Sequence, residues 1–511
     1  MGDLPRIDRP GKAAIRIQTQ PGWEDHHVQG QPVLPAVEAM QILAGRIQAA
    51  RPAMDVGDMS AARFPKFLAV DPDHETLDVD CRIVERADGG LQAALTRSVT
   101  AGSAGIRRSI THAEMTVGSA GKPPSPLPLD LAAAIEGICD TIAPEVIYRE
   151  LVPFGPGFRS ICRPLVVSPD GALARVQAPS PASALPGPLG SGFPLDGAFH
   201  AACVWGQRHA RRVAFPVAIG RRIIFSPTRG DESYTARVVP KAVTPGHLTV
   251  DIWILDHTGN VCEAALGVEM RDVSRGTWRP PGWIVEKAPE SALGLWAADC
   301  QGLVLIERAH MAAFAASALS ALEAARMANM GLRRRQGYVG GRLALKRLWR
   351  KLAGDDHQRP SAAIETGVAD DPRPYLSGID GKAPAHCSLA HDERFCVAVA
   401  HSKAVGIDVE PISDRARRSG HMFMQACEQG CVQQTDMDSG PAALRVWSIK
   451  EAASKAFGMV LNEAWERIAV VSIGEAASCF KKDGGPAMTA RHLSVAGHLL
   501  TLVTEPVSNR I

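Results

Sequence analysis

Twice within the first 275 residues a proline-led helix is followed by a run of extended, alternating segments, and this echo limits the fold more than any other feature. Pro35 stands in the first turn of the first helix, where a missing N–H costs nothing, and Val37, Met40, Ile42, Leu43 and Ile47 give that helix an apolar face at helical spacing. Extended stretches are predicted at residues 64–70, 76–85 and 91–98. The second round brings a short helix at 129–139, a tight turn at Phe154-Gly155-Pro156-Gly157-Phe158 and a second helix at 197–210. Strand-like runs follow at 213–225, 233–239, 248–255 and 261–270. A helix among antiparallel strands buries its apolar face against a sheet, so a pair of sheets, each wrapping one helix, is expected.

The texture changes after a proline- and glycine-rich stretch at 277–290. Beyond it, residues 303–329 read as mostly helical, with the alanine-rich 311–325 a packed helix too polar for a membrane span. A basic helix is expected at 340–352, strands at 395–399 and 405–409, a helix at 445–457 and closing strands near the end. The fold class predicted is α+β, divided at 1–122, 123–278, a linker 279–294, and 295–511. A chain of 511 residues exceeds one ordinary core, which agrees with that division. With 56 basic and 54 acidic residues, a formal charge of +2 gives no reason to expect nucleic acid or a membrane surface as partner. The 11 cysteines include no CxxC pair, and Met1-Gly2-Asp3-Leu4-Pro5 has neither a basic nor an apolar run. Reduced thiols, no signal peptide and a cytoplasmic location are expected.

Two constellations carry chemistry. In Val405-Gly406-Ile407-Asp408-Val409-Glu410, strand alternation sends Asp408 and Glu410 to one side. In Trp447-Ser448-Ile449-Lys450-Glu451-Ala452-Ala453-Ser454-Lys455, helical spacing puts Trp447, Glu451 and Lys455 on one stripe. Three carboxylates and a lysine suit a hard divalent cation beside a phosphate. Near the other end, Asp25-His26-His27-Val28-Gln29-Gly30 with Pro35 points to proton transfer.

The stretch from His26 to Pro35, HxxxGxxxxP, with Asp196-Gly197-Ala198-Phe199-His200, resembles the dehydratase domain of polyketide and polyunsaturated fatty acid synthases over about residues 10–275. The turn at 154–158 is similar to that family's YGPxF signature, with Phe154 in place of tyrosine. The resemblance implies two hot-dog folds sharing one site, with His26 as base and Asp196 as acid. Asp196 must then keep its proton, which an apolar surrounding favours. A backbone N–H near Gly30, at the start of the first helix, is expected to polarise the thioester carbonyl, and His200 to hold Asp196 or a hydroxyl.

The C-terminal motifs, with 334–346, Arg373-Pro374-Tyr375-Leu376 and Cys387-Ser388-Leu389-Ala390-His391, resemble 4′-phosphopantetheinyl transferases of the larger, pseudo-dimeric type over about 295–508. That resemblance implies Mg²⁺ on Asp408, Glu410 and Glu451, with Glu451 and Lys455 catalytic. It also implies coenzyme A held by Arg342, Lys346, His391, Lys450 and Lys455, and Trp447 packing the motif helix against the sheet. No Asp-Ser-Leu carrier motif occurs; Asp438-Ser439-Gly440 is nearest and reads as a loop with no helix after it. The acceptor is therefore expected on a separate acyl carrier protein or carrier domain. The chain reads as a bifunctional accessory protein that primes a carrier and dehydrates the β-hydroxyacyl chain borne on it, as a monomer or homodimer. A product-template-like cyclase, or a docking module with only the transferase active, is the alternative for its N-terminal part.

Overall fold

A computed structural model describes residues 11–505 apart from 72, 102–105, 119–120, 180–184, 186, 275, 286–290, 356–357, 368–373 and 377–385. The chain forms two units: residues up to 127 with 139–287, and residues 128–138 with 288 onward. The short stretch 128–138, at the head of the second expected half-domain, thus clusters with the C-terminal unit.

In the first unit the alternating segments form one continuous antiparallel sheet of twelve strands, where sequence reading expects two. The seam is the pairing of Asp58–Arg63 with Phe215–Ile224, through which the two halves share a ladder. Helix α1, Ala36–Ala50, lies across Leu91–Ala101 and Ile106–Val117 and buries Val37, Met40, Leu43 and Ile47. Helix α2, Phe193–His209, lies across Gly171–Gln177, Ser233–Thr244 and His247–Leu255. Gly192 lets the start of α2 pass α1, since a Cβ there would lie 3.0 Å from Val37 Cβ. Where a strand is expected at 64–70, the strand is instead Asp58–Arg63, and Phe64 and Phe67 turn to a cavity wall. The helix expected at 129–139 is one turn, Leu129–Ala132.

The second unit holds two antiparallel sheets, each backed by one long helix. Gly302–Glu307, Phe395–His401 and His386–His391 form the first, against α3, Leu332–Ala353. Val405–Pro411 and His498–Thr504 lead the second, against α4, Ser439–Phe457. Both helices stop at a left-handed glycine, Gly354 (φ 66°) and Gly458 (φ 65°). The expectation of mostly helix at 303–329 fails: Gly302–Glu307 is a strand and Ala321–Ala328 the one α-helix there. Ser439 starts α4, so the loop expected after Asp438 is a helix N-terminus.

The stretch 128–138 is built into this unit. Asp130, fully buried, takes two hydrogen bonds from Arg350 (2.9 and 2.8 Å) and one from the Ser361 hydroxyl (2.5 Å). Arg347 donates to the carbonyls of Asp130, Leu131 and Ala134, and Gly137 N–H reaches Leu305 O at 2.9 Å. Burial works against the Asp130 charge, but Arg350 and Ser361 outweigh it and hold the carboxyl below its usual range.

Candidate functional site

His26 sits where a one-turn 3-10 helix, Pro21–Asp25, meets the hairpin His27–Val28 and Gln31–Pro32. Its place is fixed from the second half of the same unit. Asp25 accepts the Gly157 N–H on Oδ2 (2.6 Å) and the Gly155 N–H on its carbonyl (2.9 Å). A Cβ on Gly155 would fall 1.8 Å from Asp25 Oδ1, so only glycine admits this approach. The turn consequently lays Phe154 and Phe158 against the His26 ring, with centroids 4.6 and 5.0 Å away. His26 Nδ1 lies 3.0 Å from Val33 O, an acceptor, so Nδ1 carries the proton and Nε2 keeps its lone pair. Burial lowers the His26 pKa, with Asp196 opposing, which keeps the ring neutral and basic at neutral pH.

Asp196 lies in the first turn of α2 and is 4% exposed. Its Oδ2 is 3.1 Å from Nε2 of His200, one turn on. His200 Nδ1 faces the hydroxyl of Tyr148 at 3.2 Å, and that hydroxyl oxygen accepts the Ile161 N–H at 2.8 Å. His26, Asp196 and His200 line one cavity with Phe154, Phe199 and Cys203, and Phe67, 44% exposed, marks its rim. The wall is predominantly apolar, so the three polar groups face each other with little competing water. Gly30 departs from expectation. It closes the two-residue hairpin turn with Gln29 (φ 75° and 55°), ahead of α1, and so does not present an N–H at the helix start. Tyr148 has no motif of its own, and its one signal is rarity, since the chain has 4 tyrosines.

The second constellation is built on strand Val405–Pro411 and α4. A Cβ on Gly406 would lie 1.8 Å from the Ala452 carbonyl, so this glycine lets the strand pass directly under the helix backbone. Asp408 Oδ2 accepts the Ser448 hydroxyl at 2.7 Å, and its Oδ1 is 3.3 Å from Lys455 Nζ. Lys455 also donates to Ile407 O (2.9 Å) and stands 4.0 Å from Glu451. Glu410 accepts the indole N–H of Trp447 at 3.0 Å, so Trp447 orients a carboxylate as well as packing on Phe423. Burial, then the neighbouring Asp408, pushes Glu410 up to about 7, and the same two causes raise Glu451. Among the described residues, no group of three or more His, Cys, Asp or Glu side chains is arranged to hold a metal ion.

His391, at the end of its strand, has a lowered pKa from burial and from the charges of Arg308 and Lys455, which puts all three in one electrostatic neighbourhood. Arg342 donates to Thr366 O at 2.7 Å, and near Gly367 it meets Arg326. A Cβ on that glycine would lie 3.2 Å from Arg326 Nη1 and 3.3 Å from Arg342 Nη1. Sequence reading passes over Arg326. Arg373 lies outside the described residues.

Two expected coenzyme A ligands are corrected. Lys346 is fully buried, paired with Glu323 (2.8 Å) and donating to the Ser361 and Ile364 carbonyls. Lys450 is likewise fully buried, paired with Glu428 (2.8 Å) and donating to Phe423 O and Trp465 O. An ammonium has three protons, and each of these has three partners, so neither lysine has one left for a phosphate. For Lys450 the reason is periodicity. It precedes Glu451 by one residue, about 100° around the helix, and so leaves the stripe of Trp447, Glu451 and Lys455.

Comparison with known proteins agrees with both halves. Residues 129–279 match the family model described as the polyketide synthase dehydratase N-terminal domain, and residues 404–503 match that of the 4′-phosphopantetheinyl transferase superfamily. Similar solved structures include a trans-AT polyketide synthase dehydratase domain from Brevibacillus brevis, with 18% identity, TM-score 0.42, 51% of this chain and 93% of that one. The dehydratase domain of the CurF module of curacin polyketide synthase matches at 16% identity and TM-score 0.41, covering 53% and 96%. A bifunctional dehydratase-cyclase domain of ambruticin biosynthesis matches at 17% identity and TM-score 0.40, covering 53% and 99%. None of the curated proteins matches the chain.

Proposed function

We propose that this bifunctional chain, a polyketide-synthase-type dehydratase domain joined to a 4′-phosphopantetheinyl transferase domain, installs the arm of an acyl carrier protein and removes water from the β-hydroxyacyl group that arm later bears. The observation that carries the dehydratase reading is the facing of His26 and Asp196 across one apolar cavity. Nε2 of His26 takes the α-proton of the thioester, and the electron pair forms the Cα–Cβ double bond. Asp196 gives its proton to the β-hydroxyl, which leaves as water, and a 2-enoyl thioester remains. Val33 O holds the His26 tautomer that this needs, and the Phe154 and Phe158 rings keep solvent from the imidazole.

In the transferase half, Asp408, Glu410 and Glu451 would hold Mg²⁺. Hard oxygen donors suit it, and burial together with the neighbouring Asp408 charge, which raises Glu410 and Glu451, is what a divalent cation offsets. Bound there, the ion supplies charge to a diphosphate. The protein's own residues position the rest: Lys455 lies between Asp408 and Glu451, where it meets a phosphate oxygen as charge. Glu451, on the same helix face as Lys455, takes the proton of the carrier serine. The serine oxygen attacks the β-phosphorus of coenzyme A, and 3′,5′-ADP leaves. Arg342 with Arg326, and His391, form the basic surroundings for the nucleotide phosphates.

A β-hydroxyacyl thioester incubated with the protein tests the dehydratase half, with product followed by chromatography. Formation of a 2-enoyl product by wild type and its loss in His26→Ala and Asp196→Asn is the expected result. A cyclised product, or none in the wild type, contradicts it.

A further inference from the structure

The turn at 154–158 carries phenylalanine at its first position, and a different residue brings a hydroxyl to the site. Tyr148, in a one-turn π-helix Ile147–Leu151, is 5% exposed and does not itself line the cavity. Its oxygen receives the Ile161 N–H at 2.8 Å. An oxygen facing a donor must turn its own proton elsewhere, and His200 Nδ1, at 3.2 Å, is the acceptor within reach. A lone pair that accepts at Nδ1 requires the His200 proton to sit on Nε2, 3.1 Å from Asp196 Oδ2. Both atoms are buried, and their 3.1 Å contact is not aligned as a hydrogen bond in this structure, so each lacks any other partner among the described residues and is left to the other.

Resting on the dehydratase reading, we infer that Tyr148 is a positioning residue: it fixes His200 as the neutral, Nε2-protonated tautomer, whose N–H claims Asp196 Oδ2 and leaves the transferable proton on Oδ1. The titratable groups that interact electrostatically with Asp196 are His26 beside the hairpin, Glu38 from α1, Tyr148 from the π-turn and His200 from its own helix. Of these, His200 is the one whose charge Tyr148 controls. Without the tyrosine proton, Nδ1 is free to take one from water. The resulting imidazolium beside Asp196 favours a carboxylate, which cannot act as an acid.

Two measurements on the full-length protein test this. In the first, Tyr148→Phe moves the alkaline limb of the kcat–pH profile down by about one unit, so that above the wild-type limb kcat for dehydration falls about tenfold with KM unchanged, the same free energy read two ways. In a His200→Gln background the side chain neither titrates nor changes tautomer, so Tyr148→Phe then leaves the limb where it is. An equal loss and an equal limb shift in both backgrounds would reduce Tyr148 to a packing residue and overturn the inference. The second measurement needs no turnover. Long-range ¹⁵N–¹H spectra of histidine-labelled wild type, assigned with His200→Gln, show an Nε2–H tautomer for His200 that is lost in Tyr148→Phe. An Nδ1–H or doubly protonated His200 in the wild type refutes the network. Absence of enoyl product from the wild type refutes the dehydratase reading instead, and the spectra still decide the tautomer.

Discussion

The two constellations solve opposite electrostatic problems. In the first unit, His26 and Asp196 line one apolar cavity, where burial lowers the His26 pKa and keeps its ring neutral. In the second, three carboxylates crowd a strand and a helix, and Lys455 touches two of them. The first constellation withholds charge and the second concentrates it. Each is made possible by glycines that admit close backbone approach: Gly155 beside Asp25, and Gly406 beneath Ala452.

The most direct way to break this contrast is to remove one site at a time. His26→Ala should cut dehydration about 10²- to 10⁴-fold, the range for a general base, while transfer to an apo carrier continues at the wild-type rate. Steady-state assays of both activities on one preparation check this. Parallel loss of both activities would mean that the sites are not independent.

The next effect separates residues that build a site from those that only share its motif. Lys450→Met strands Glu428 in the core and should cost about 3–5 kcal/mol, read by denaturant unfolding, while molecules that remain folded keep their KM for coenzyme A. Lys455→Ala should do the reverse, with stability near wild type and transfer largely lost. Asp130→Asn should destabilise the C-terminal unit by about 3–5 kcal/mol as well, although it lies in the N-terminal third of the sequence. Hydrogen exchange by mass spectrometry should locate that loosening on α3 and its sheet. Because the Asp130 pKa is depressed in the folded state, its contribution is full above the ordinary aspartate value of about 4 and declines as pH falls through the folded value.

These cases show what the sequence could tell. The grouping of His26 with Asp196 in one cavity, and of Asp408 and Glu410 with the helix of Glu451, is foreshadowed in the sequence because each motif's spacing to glycines, prolines and helix stripes is local. Lys346 and Lys450 mislead because burial depends on Glu323 and Glu428, which lie on other helices. The assignment of 128–138 to the second unit rests on Arg347 and Arg350, more than 200 residues away, and no local pattern encodes it. Residues 64–70 read as a strand because they are rich in apolar residues, but Phe64, Phe67 and Leu68 line a cavity wall and not a sheet face. The strand Gly302–Glu307 hides because a short apolar run beside an alanine-rich stretch reads equally as helix.

Two smaller effects sharpen the comparison. His26 is held below its ordinary value, so the base form persists into mild acid. The acid limb of dehydration should therefore fall below about pH 6.5, the free-histidine value, in a kcat/KM–pH profile. A limb above that value would mean that His26 is not the base. Trp447→Phe keeps the packing on Phe423 but removes the N–H from Glu410, and should slow transfer by less than tenfold, about 1 kcal/mol for one hydrogen bond.

The central claim, two chemistries on one carrier, is tested most directly by the intact mass of an apo acyl carrier protein incubated with this protein, coenzyme A and Mg²⁺, and then of the holo carrier loaded with a β-hydroxyacyl group. The account predicts a gain of about 340 Da in the first step, one phosphopantetheine arm, and a loss of about 18 Da in the second, one water removed by acid–base chemistry. An unchanged mass in either step, with a carrier that a known transferase and dehydratase do convert, would contradict it.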